Sequence, residues 1–235
     1  MNIAVVFAGG VGTRMKSENG IPKQFLKIKR APILVWTLKN FQNDPLVDKI
    51  VVVMVNDYID YTWKLVKKYK LNKVEEVVAG GKTGQDSIYN GLIIAKELAK
   101  RENPIVLIHD GVRPFIEADL IARNISSVER FGSAISSVPS KETIIQLEKN
   151  EIISNVVDRS TVWMARAPQS FYLNDILEAH ELAIKSGRHD IIDSCTMMMN
   201  FGKKLHMVET QAENIKITTP EDYYVACGLI AKRKK

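Results

Sequence analysis

Short apolar runs alternate with longer segments of helical periodicity through the first half of the chain. Predicted strands lie at residues 3–7, 49–55, 74–79 and 104–108, and the continuous apolar run at 49–55 is typical of a strand covered on both faces. The helical segments between them lie at residues 32–42, 57–70 and 85–99. Because strands and helices alternate, the pattern predicts an α/β fold with a mainly parallel central sheet and flanking helices.

The second half of the chain has shorter apolar runs separated by polar turns. Residues 143–147 and 152–157 flank a polar turn and are typical of a β-hairpin. The other predicted elements are strands at 134–138 and 204–208, helices at 173–186 and 192–200, and a last helix starting near Thr218. The hairpin is either an arm that contacts a partner or an extra edge ribbon. We expect one domain over residues 1–235, with a protruding β-arm at 139–164.

The composition is that of a globular protein, with 46% hydrophobic and 26% charged residues among 235. The net charge of +6 comes from scattered lysines, which suits anionic substrates and does not indicate a nucleic-acid partner. No apolar run approaches the length of a membrane span, and the N-terminus lacks a signal-peptide pattern. The two cysteines have no metal-ligand spacing. We therefore expect a cytoplasmic protein without a membrane partner.

Three candidate ligand elements follow predicted strands: Gly9-Gly10, Gly80-Gly81 and His109-Asp110. The carboxyl ends of parallel strands meet at one edge of a sheet, where ligands bind in α/β folds. Glycine lets a phosphate approach the backbone closely, and Arg14 and Lys23 add two positive charges nearby. The sequence predicts a polyphosphate cradle, with a plain glycine turn as the alternative.

Two common nucleotide motifs are incomplete in this chain. A dinucleotide fingerprint needs a third glycine where Met15 stands, which disfavours a nicotinamide-dependent dehydrogenase. Gly81-Lys82-Thr83 matches the end of a Walker A loop, but Glu76 stands at the position of the first glycine that this motif needs. The cradle therefore belongs to another class of nucleotide site.

Asp110 and Lys216 are candidates for phosphate chemistry. A carboxylate at a strand end opposite a phosphate loop suits Mg²⁺, whereas the alternative for Asp110 is an ion pair with Arg113. Lys216 interrupts an apolar strand-like pattern at 214–217, so it either faces an anion or points outward from an edge.

Three further residues have one functional and one structural interpretation each. Arg159 follows the hairpin and either holds a substrate phosphate or pairs with Asp158. Ser87 either contacts a base or ribose or caps a helix, and Asp193 either binds a polar substrate or begins a helix. His180 and His189 are expected on the surface.

The motifs occur in the order found in a known family, and the chain resembles the cytidylyltransferases that act on methylerythritol phosphate and ribitol phosphate. The residues that carry the resemblance are Ala8-Gly9-Gly10-x-Gly12-Thr13-Arg14-Met15, Pro22-Lys23-Gln24-Phe25-Leu26, His109-Asp110-x-x-Arg113-Pro114, Val157-Asp158-Arg159, Ala167-Pro168-Gln169 and Asn214-Ile215-Lys216-Ile217-Thr218. They span nearly the whole chain, and the ordered set is highly specific.

The resemblance implies a nucleotide-diphospho-sugar transferase fold of glycosyltransferase-A type, with CTP, Mg²⁺ and a homodimer formed through the β-arm. It also implies roles for individual residues. By the resemblance, Arg14 and Lys23 contact the triphosphate and the transition state, Asp110 binds Mg²⁺, and Lys216 contacts the reacting phosphates. The residues around the cytidine are Ala8, Gly9, Gly10, Gly81 and Ser87. The residues that bind the acceptor are Arg113, Asp193, Thr143 and Arg159, the last two across the dimer.

Departures from the methylerythritol branch favour the ribitol branch, which serves capsule and teichoic-acid synthesis. That first branch usually has threonines where this chain has Ala167 and Ile192. The segments 80–87, 165–170 and 192–198 look closer to the ribitol enzymes, although 157–160 also fits the methylerythritol branch. The resemblance thus implies transfer of CMP from CTP to D-ribitol 5-phosphate. The alternatives are methylerythritol 4-phosphate as acceptor and, more distantly, a non-catalytic nucleotide-binding protein.

Overall fold

A mixed β-sheet with helices on both faces forms the centre of the computed structural model, which describes residues 1–10 and 21–232. The strands in chain order are β1 (Asn2–Ala8), β2 (Lys27–Ile28), β3 (Ala31–Pro32), β4 (Lys49–Met54), β5 (Val74–Ala79), β6 (Ile105–Asp110), β7 (Ser133–Pro139), β8 (Ile145–Leu147), β9 (Ile153–Val156), β10 (Trp163–Tyr172) and β11 (Met207–Glu209). The α-helices are α1 (Ile33–Asn43), α2 (Ile59–Lys68), α3 (Gly84–Ala99), α4 (Leu120–Phe131), α5 (Leu173–Lys185), α6 (Ser194–Asn200) and α7 (Pro220–Lys232).

The central sheet has the strand order β11-β7-β10-β6-β1-β4-β5. All pairs are parallel except those that β10 makes with β6 and β7. The register of β1 against β6 places Phe7 beside Asp110, so the loops that follow these two strands leave the sheet together. The predicted α/β fold with a mainly parallel sheet is confirmed.

Both faces of β1 are buried, which explains its unbroken apolar sequence. Ala4 and Val6 pack into the core formed with α1 and α4, whereas Ile3 and Val5 pack into the core formed with α3 and α5. A third cluster joins α7 to Val112. The apolar layers hold the carboxyl ends of the parallel strands at a fixed edge, where the predicted ligand elements lie.

Helix α4 and strand β10 are the longer elements that were not predicted from the sequence. Helix α4 contains Asn124, Ser126 and Ser127, which are weak helix formers. Strand β10 contains Pro168, which argues against an interior strand because proline cannot donate to the ladder. The pairing of β10 with β7 shifts register between Ala165 and Gln169, so this proline lies where the ladder is interrupted.

Two structural expectations were wrong. Residues 214–217 form no strand; the segment is fastened beside the end of β6 by the hydrogen bond from Ile217 N to Val112 O, 3.0 Å long. His180 was expected on the surface but is only 1% exposed and stacks on Tyr89 with ring centroids 5.7 Å apart. His180 lies on the apolar face of the amphipathic helix α5, and it is buried because that face packs on α3.

The β8–β9 hairpin confirms the predicted inserted arm, with shorter strands than the pattern indicated. Ile145 pairs with Val156 and Leu147 with Ile153, and these four apolar side chains are 46% to 60% exposed. The pair between them is polar, since Asn155 Nδ2 donates to Gln146 Oε1 over 3.1 Å. In the described part of the chain, no helix is long and apolar enough to cross a membrane.

Candidate active site

Two adjoining cavities lie at the carboxyl edge of the central sheet. The larger has a volume of about 370 Å³ and the smaller about 160 Å³. Phe7, Asp110 and Lys216 line both cavities. A group bound in one cavity therefore reaches a group bound in the other across the Asp110–Lys216 wall.

The larger cavity gathers most of the residues predicted to hold a nucleotide. It is lined at the end of β1 by Ala8, Gly9 and Gly10, at the 3₁₀ helix Lys23–Phe25 by Lys23 and Gln24, and after β5 by Gly81, Lys82, Thr83, Gly84 and Ser87. Arg14 lies outside the described residues, so its assigned role remains a prediction.

Gln24 connects the lysine of this cavity to the end of β1. The residue is 1% exposed, and its Nε2 donates to the Ala8 carbonyl over 2.8 Å. The sequence motif contained this glutamine, but no role was predicted for it. Because a buried amide has to be hydrogen-bonded, Gln24 positions the short helix that carries Lys23.

The loop after β5 is closed by hydrogen bonds within the chain. Gly81 N donates to Ser87 Oγ over 3.1 Å, and this hydroxyl donates to Thr83 O over 2.9 Å. Thr83 is the N-cap of α3 and forms a capping box with Asp86, so the alternative helix-cap role for Ser87 was wrong. A Cβ on Gly81 would lie 2.2 Å from Asp86 Cβ, which makes glycine necessary for this turn.

Asp110 makes two ion pairs at the wall between the cavities. Its Oδ2 lies 2.7 Å from Arg113 Nε, and its Oδ1 lies 2.6 Å from Lys216 Nζ. Burial alone would raise the pKa of Asp110, but Arg113 and Lys216 lower it to about 2. The pairing with Arg113, one of the two interpretations of Asp110, is present in the structure, and Lys216 turns toward this carboxylate rather than outward.

His109 is a buried residue next to this wall and contacts the backbone of Arg113. Its ring is buried, and Nε2 lies 3.0 Å from the Arg113 carbonyl, which fixes the backbone after β6. Burial lowers the pKa of His109 to about 4, so the ring is neutral near pH 7. The residue positions Arg113 and does not itself line either cavity.

The smaller cavity gathers the residues predicted to bind the acceptor within one chain. Arg113 and Asp193 line it, together with Ala167 and Ile192. Asp193 caps α6 by accepting from Thr196 N over 2.8 Å, and it accepts from Gln169 Nε2 over 3.2 Å. The structure thus confirms Asp193 at the helix start and places it at the cavity wall, while substrate binding by this residue remains a prediction.

Asn214 links the segment that carries Lys216 to the irregular part of β10. Its side-chain Nδ2 donates to the Ala167 carbonyl over 2.7 Å, and its backbone carbonyl accepts from Arg113 Nη1 over 2.9 Å. Asn214 is fully buried. Sequence reasoning missed this role because it depends on three segments that lie far apart along the chain.

Thr143 and Arg159 lie on the exposed arm and line neither cavity. Arg159 NH1 donates to the Lys141 carbonyl over 3.3 Å, while Asp158 accepts from Ser160 N instead of pairing with that arginine. Their acceptor roles, which were assigned across a dimer, remain predictions.

The residues at the wall fit a magnesium ion that is shared with phosphate groups. No group of three His, Cys, Asp or Glu side chains able to hold a metal occurs within residues 1–10 and 21–232. Magnesium commonly takes one or two carboxylates and completes its octahedron with substrate phosphates and water. Asp110 supplies one such carboxylate to both cavities, so it suits an ion that arrives with a nucleotide.

Comparisons with known proteins agree with this geometry. The family profile described as 2-C-methyl-D-erythritol 4-phosphate cytidylyltransferase (IspD) matches residues 2–232. A ribitol-5-phosphate cytidylyltransferase from Streptococcus agalactiae serotype III is 50% identical over 234 residues, covering 100% of this chain and 97% of the relative. A 2-C-methyl-D-erythritol 4-phosphate cytidylyltransferase from Clostridium botulinum strain Langeland is 37% identical over 231 residues, covering 98% of both chains.

A solved structure has the same fold over the same extent. The 4-diphosphocytidyl-2C-methyl-D-erythritol synthase from Anaerococcus prevotii superposes with a TM-score of 0.83 at 25% identity and covers 98% of each chain. The fold, the two cavities and the sequence matches lead to one assignment. The chain belongs to the IspD family of CTP-dependent cytidylyltransferases.

Proposed function

We propose that this enzyme transfers CMP from CTP to D-ribitol 5-phosphate, giving CDP-ribitol and pyrophosphate. The observation that carries the proposal is the shared wall, where Asp110 and Lys216 face both a nucleotide-sized cavity and a smaller polar one. Relatives named for ribitol 5-phosphate are 50% identical to the chain, against 37% for a methylerythritol relative.

The reaction is an in-line displacement at the α-phosphorus of CTP. An oxygen of the acceptor phosphate forms the new P–O bond, and the bond from the α-phosphorus to the bridging oxygen breaks. Pyrophosphate leaves with the electron pair. The acceptor phosphate is already an anion near neutral pH, so the step needs no general base. Catalysis then consists of positioning the two phosphates and neutralising their charge.

The described residues offer that neutralisation from three sides. Lys23 lines the nucleotide cavity, Arg113 lines the smaller one, and Lys216 lines both. When phosphates enter, the side chain of Lys216, which is 40% exposed, can leave Asp110 and bind them. By exchanging the Asp110 carboxylate for phosphate, Lys216 would place its positive charge on the reacting phosphates, which repel each other as they approach.

Magnesium completes the proposed site. Asp110 would hold the ion together with phosphate oxygens, and the bound ion would supply Lewis-acid stabilisation of the phosphate charge. Both oxygens of this carboxylate are engaged by cations in the structure, so magnesium and Lys216 compete for Asp110.

The smaller cavity bears on the choice of acceptor. Ala167 and Ile192, the residues expected to distinguish the ribitol branch, both line it. Neither side chain can donate a hydrogen bond, so a methylerythritol contact made by threonine hydroxyls would be lost here. We propose these two positions as determinants of the preference for ribitol 5-phosphate.

Pyrophosphate release tests the proposed function. We expect release with CTP, Mg²⁺ and ribitol 5-phosphate together, and none when the acceptor is omitted or when ATP replaces CTP. Release without an acceptor would indicate a nucleotide hydrolase. The absence of release with every alditol phosphate, despite CTP binding, would favour the non-catalytic alternative.

The arm supports a homodimer as a further part of the proposal. Its four paired apolar side chains are exposed on a two-stranded hairpin, which is only marginally stable alone in water. A second copy that covers them would also bring Thr143 and Arg159 to another subunit. We place the enzyme in the cytoplasm, in line with its two free cysteines.

A further inference from the structure

Arg166 is a cation that lies beside the proposed reaction centre. Its side chain is half-buried, and its Nε is fully buried without a hydrogen-bond partner. No ion pair to this guanidinium occurs among the residues that the structure describes. A cation withdrawn from water favours an anionic partner, so this position can receive the anionic group of a ligand.

The irregular part of β10 directs Arg166 to its place. The register of β10 against β7 shifts between Ala165 and Gln169, and such irregularities re-aim side chains near active sites. The next residue, Ala167, is fastened through its carbonyl to Asn214. Arg166 consequently lines the smaller cavity, with Asp110, Arg113 and Lys216, but not the larger nucleotide cavity.

The two carboxylates that line the smaller cavity are already engaged. Asp110 pairs with Arg113 and Lys216, and Asp193 accepts from Thr196 and Gln169. Asp222, which also acts on the guanidinium electrostatically, accepts three hydrogen bonds at the start of α7. Among the described residues that line the smaller cavity, three cations (Arg113, Arg166 and Lys216) face two carboxylates (Asp110 and Asp193).

We propose that Arg166 binds the phosphate of the acceptor in the smaller cavity, through a charge-assisted contact made within one subunit. This inference rests on the proposed function for the identity of the acceptor. Arginine is suited to the task because its planar guanidinium offers two parallel N–H donors to phosphate oxygens. The contact holds the nucleophile next to Lys216 and leaves CTP binding to the other cavity.

Steady-state kinetics with Arg166→Met separates this role from a general one. We expect the KM for ribitol 5-phosphate to rise at least tenfold, as loss of a charge-assisted hydrogen bond can cause, while the KM for CTP changes less than threefold. Arg166→Lys keeps the charge without the fork, so its acceptor KM should lie between the two. An unchanged acceptor KM, or an equal rise for both substrates, would overturn the inference.

Lys141→Met is the matched control, because Lys141 contributes a positive charge to the neighbouring groove that Arg166 also lines, but does not line the smaller cavity. Its acceptor KM should stay within twofold of that of the unmodified enzyme. An equal effect in this control would mean that net charge, and not contact with Arg166, attracts the acceptor.

Calorimetric titration with ribitol 5-phosphate and with inorganic phosphate gives an answer that does not depend on turnover. We expect the unmodified chain to bind ribitol 5-phosphate at least tenfold more tightly than Arg166→Met does. If pyrophosphate release fails but this difference is found, the proposed function fails and the Arg166 site stands. Equal binding by the two proteins, or no binding by either, overturns the site; if Arg166→Met does not fold, Arg166→Lys decides.

Discussion

Lys23 lines the nucleotide cavity together with Lys82 and Lys216. It lies on a 3₁₀ helix that Gln24 fastens to the end of β1. A charge held in this way is preorganised, because the protein has oriented it before the phosphates arrive. At the residue scale, the account therefore depends on a few cations kept in place by buried amides.

Replacement of Lys23 tests that dependence. We expect Lys23→Ala to lower kcat at least about a hundredfold, since loss of one preorganised charge contact has effects of this size. The measurement is pyrophosphate release at saturating CTP and acceptor. Lys64→Ala removes an exposed lysine from α2 and should leave kcat unchanged. A near-normal rate for Lys23→Ala would remove this residue from the mechanism.

Gly81 and Gly84 form a matched pair in one loop. A Cβ on Gly81 would overlap Asp86, whereas a Cβ on Gly84 would meet nothing within 4 Å. We expect Gly81→Ala to lower the free energy of unfolding by about 2 kcal/mol through overpacking. Gly84→Ala should leave it unchanged or raise it, because alanine favours a helix. Urea unfolding measures both values, and equal stabilities would show that this turn tolerates a side chain.

At the scale of elements, α5 packs on α3 with a histidine in the contact. His180 is buried, its ring stacks on Tyr89, and within residues 1–10 and 21–232 neither ring nitrogen has a hydrogen-bond partner. Burial lowers the pKa of His180 to about 4, against an opposing effect of Asp86. The unfolded chain therefore takes up the proton first as the pH falls.

This contact predicts a pH dependence of stability. The contribution of neutral His180 is fully present above pH 6.5 and is lost as the pH falls toward 4. Between pH 7 and pH 5 we expect the loss from this residue to be about 2 kcal/mol. His180→Phe should lack that part of the loss, although His109, with a similarly lowered pKa, retains its own.

Urea unfolding of both proteins at pH 7 and pH 5 measures the difference. Phenylalanine keeps an aromatic ring and removes no hydrogen bond, so the variant should be at least as stable at pH 7. Identical pH dependence in the two proteins would show that His180 is accessible to protons in the folded state.

The elements that the sequence revealed are those whose local pattern agrees with their environment. The strands buried on both faces, such as β1 and β4, have unbroken apolar sequences, and they were predicted within one or two residues. Strand β10 escaped because Pro168 interrupts it. The prediction that the loops after β1, β5 and β6 meet at one edge of the sheet followed from the topology of parallel strands alone.

The parts of the site that could not be predicted depend on tertiary contacts. Asn214 acts through segments near residues 113 and 167, and Arg166 is notable only because neighbouring carboxylates are already engaged. Neither property has a local pattern. The segment at 214–217 was misassigned because its apolar residues dock against Val112 without forming a strand.

At the scale of the whole molecule, the hairpin arm keeps large apolar side chains exposed to solvent in a single chain. Two apolar pairs, Ile145 with Val156 and Leu147 with Ile153, flank the polar pair of Gln146 and Asn155, and the register shifts between Gln146 and Leu147. Apolar side chains exposed in such a cluster are typical of a surface that another protein covers. We expect the covering surface to belong to a second copy.

Charges in the apolar cluster of the arm test this expectation. Leu147→Lys combined with Ile153→Lys should convert a dimer into a monomer, because each lysine would have to be desolvated at the interface. The control is Gln146→Lys between them, which should leave the dimer intact. Sedimentation velocity distinguishes the species, and a monomer formed by the unmodified chain, or a dimer retained by the double variant, would contradict the proposal.

The central claim concerns the substrate, and a competition experiment tests it most directly. The unmodified enzyme is given CTP, Mg²⁺ and equal concentrations of ribitol 5-phosphate and methylerythritol 4-phosphate, and the two nucleotide products are quantified by mass spectrometry. Their ratio reports the ratio of kcat/KM values. The account predicts that CDP-ribitol predominates. Predominance of the cytidine diphosphate product of methylerythritol, or the formation of neither product, would contradict it.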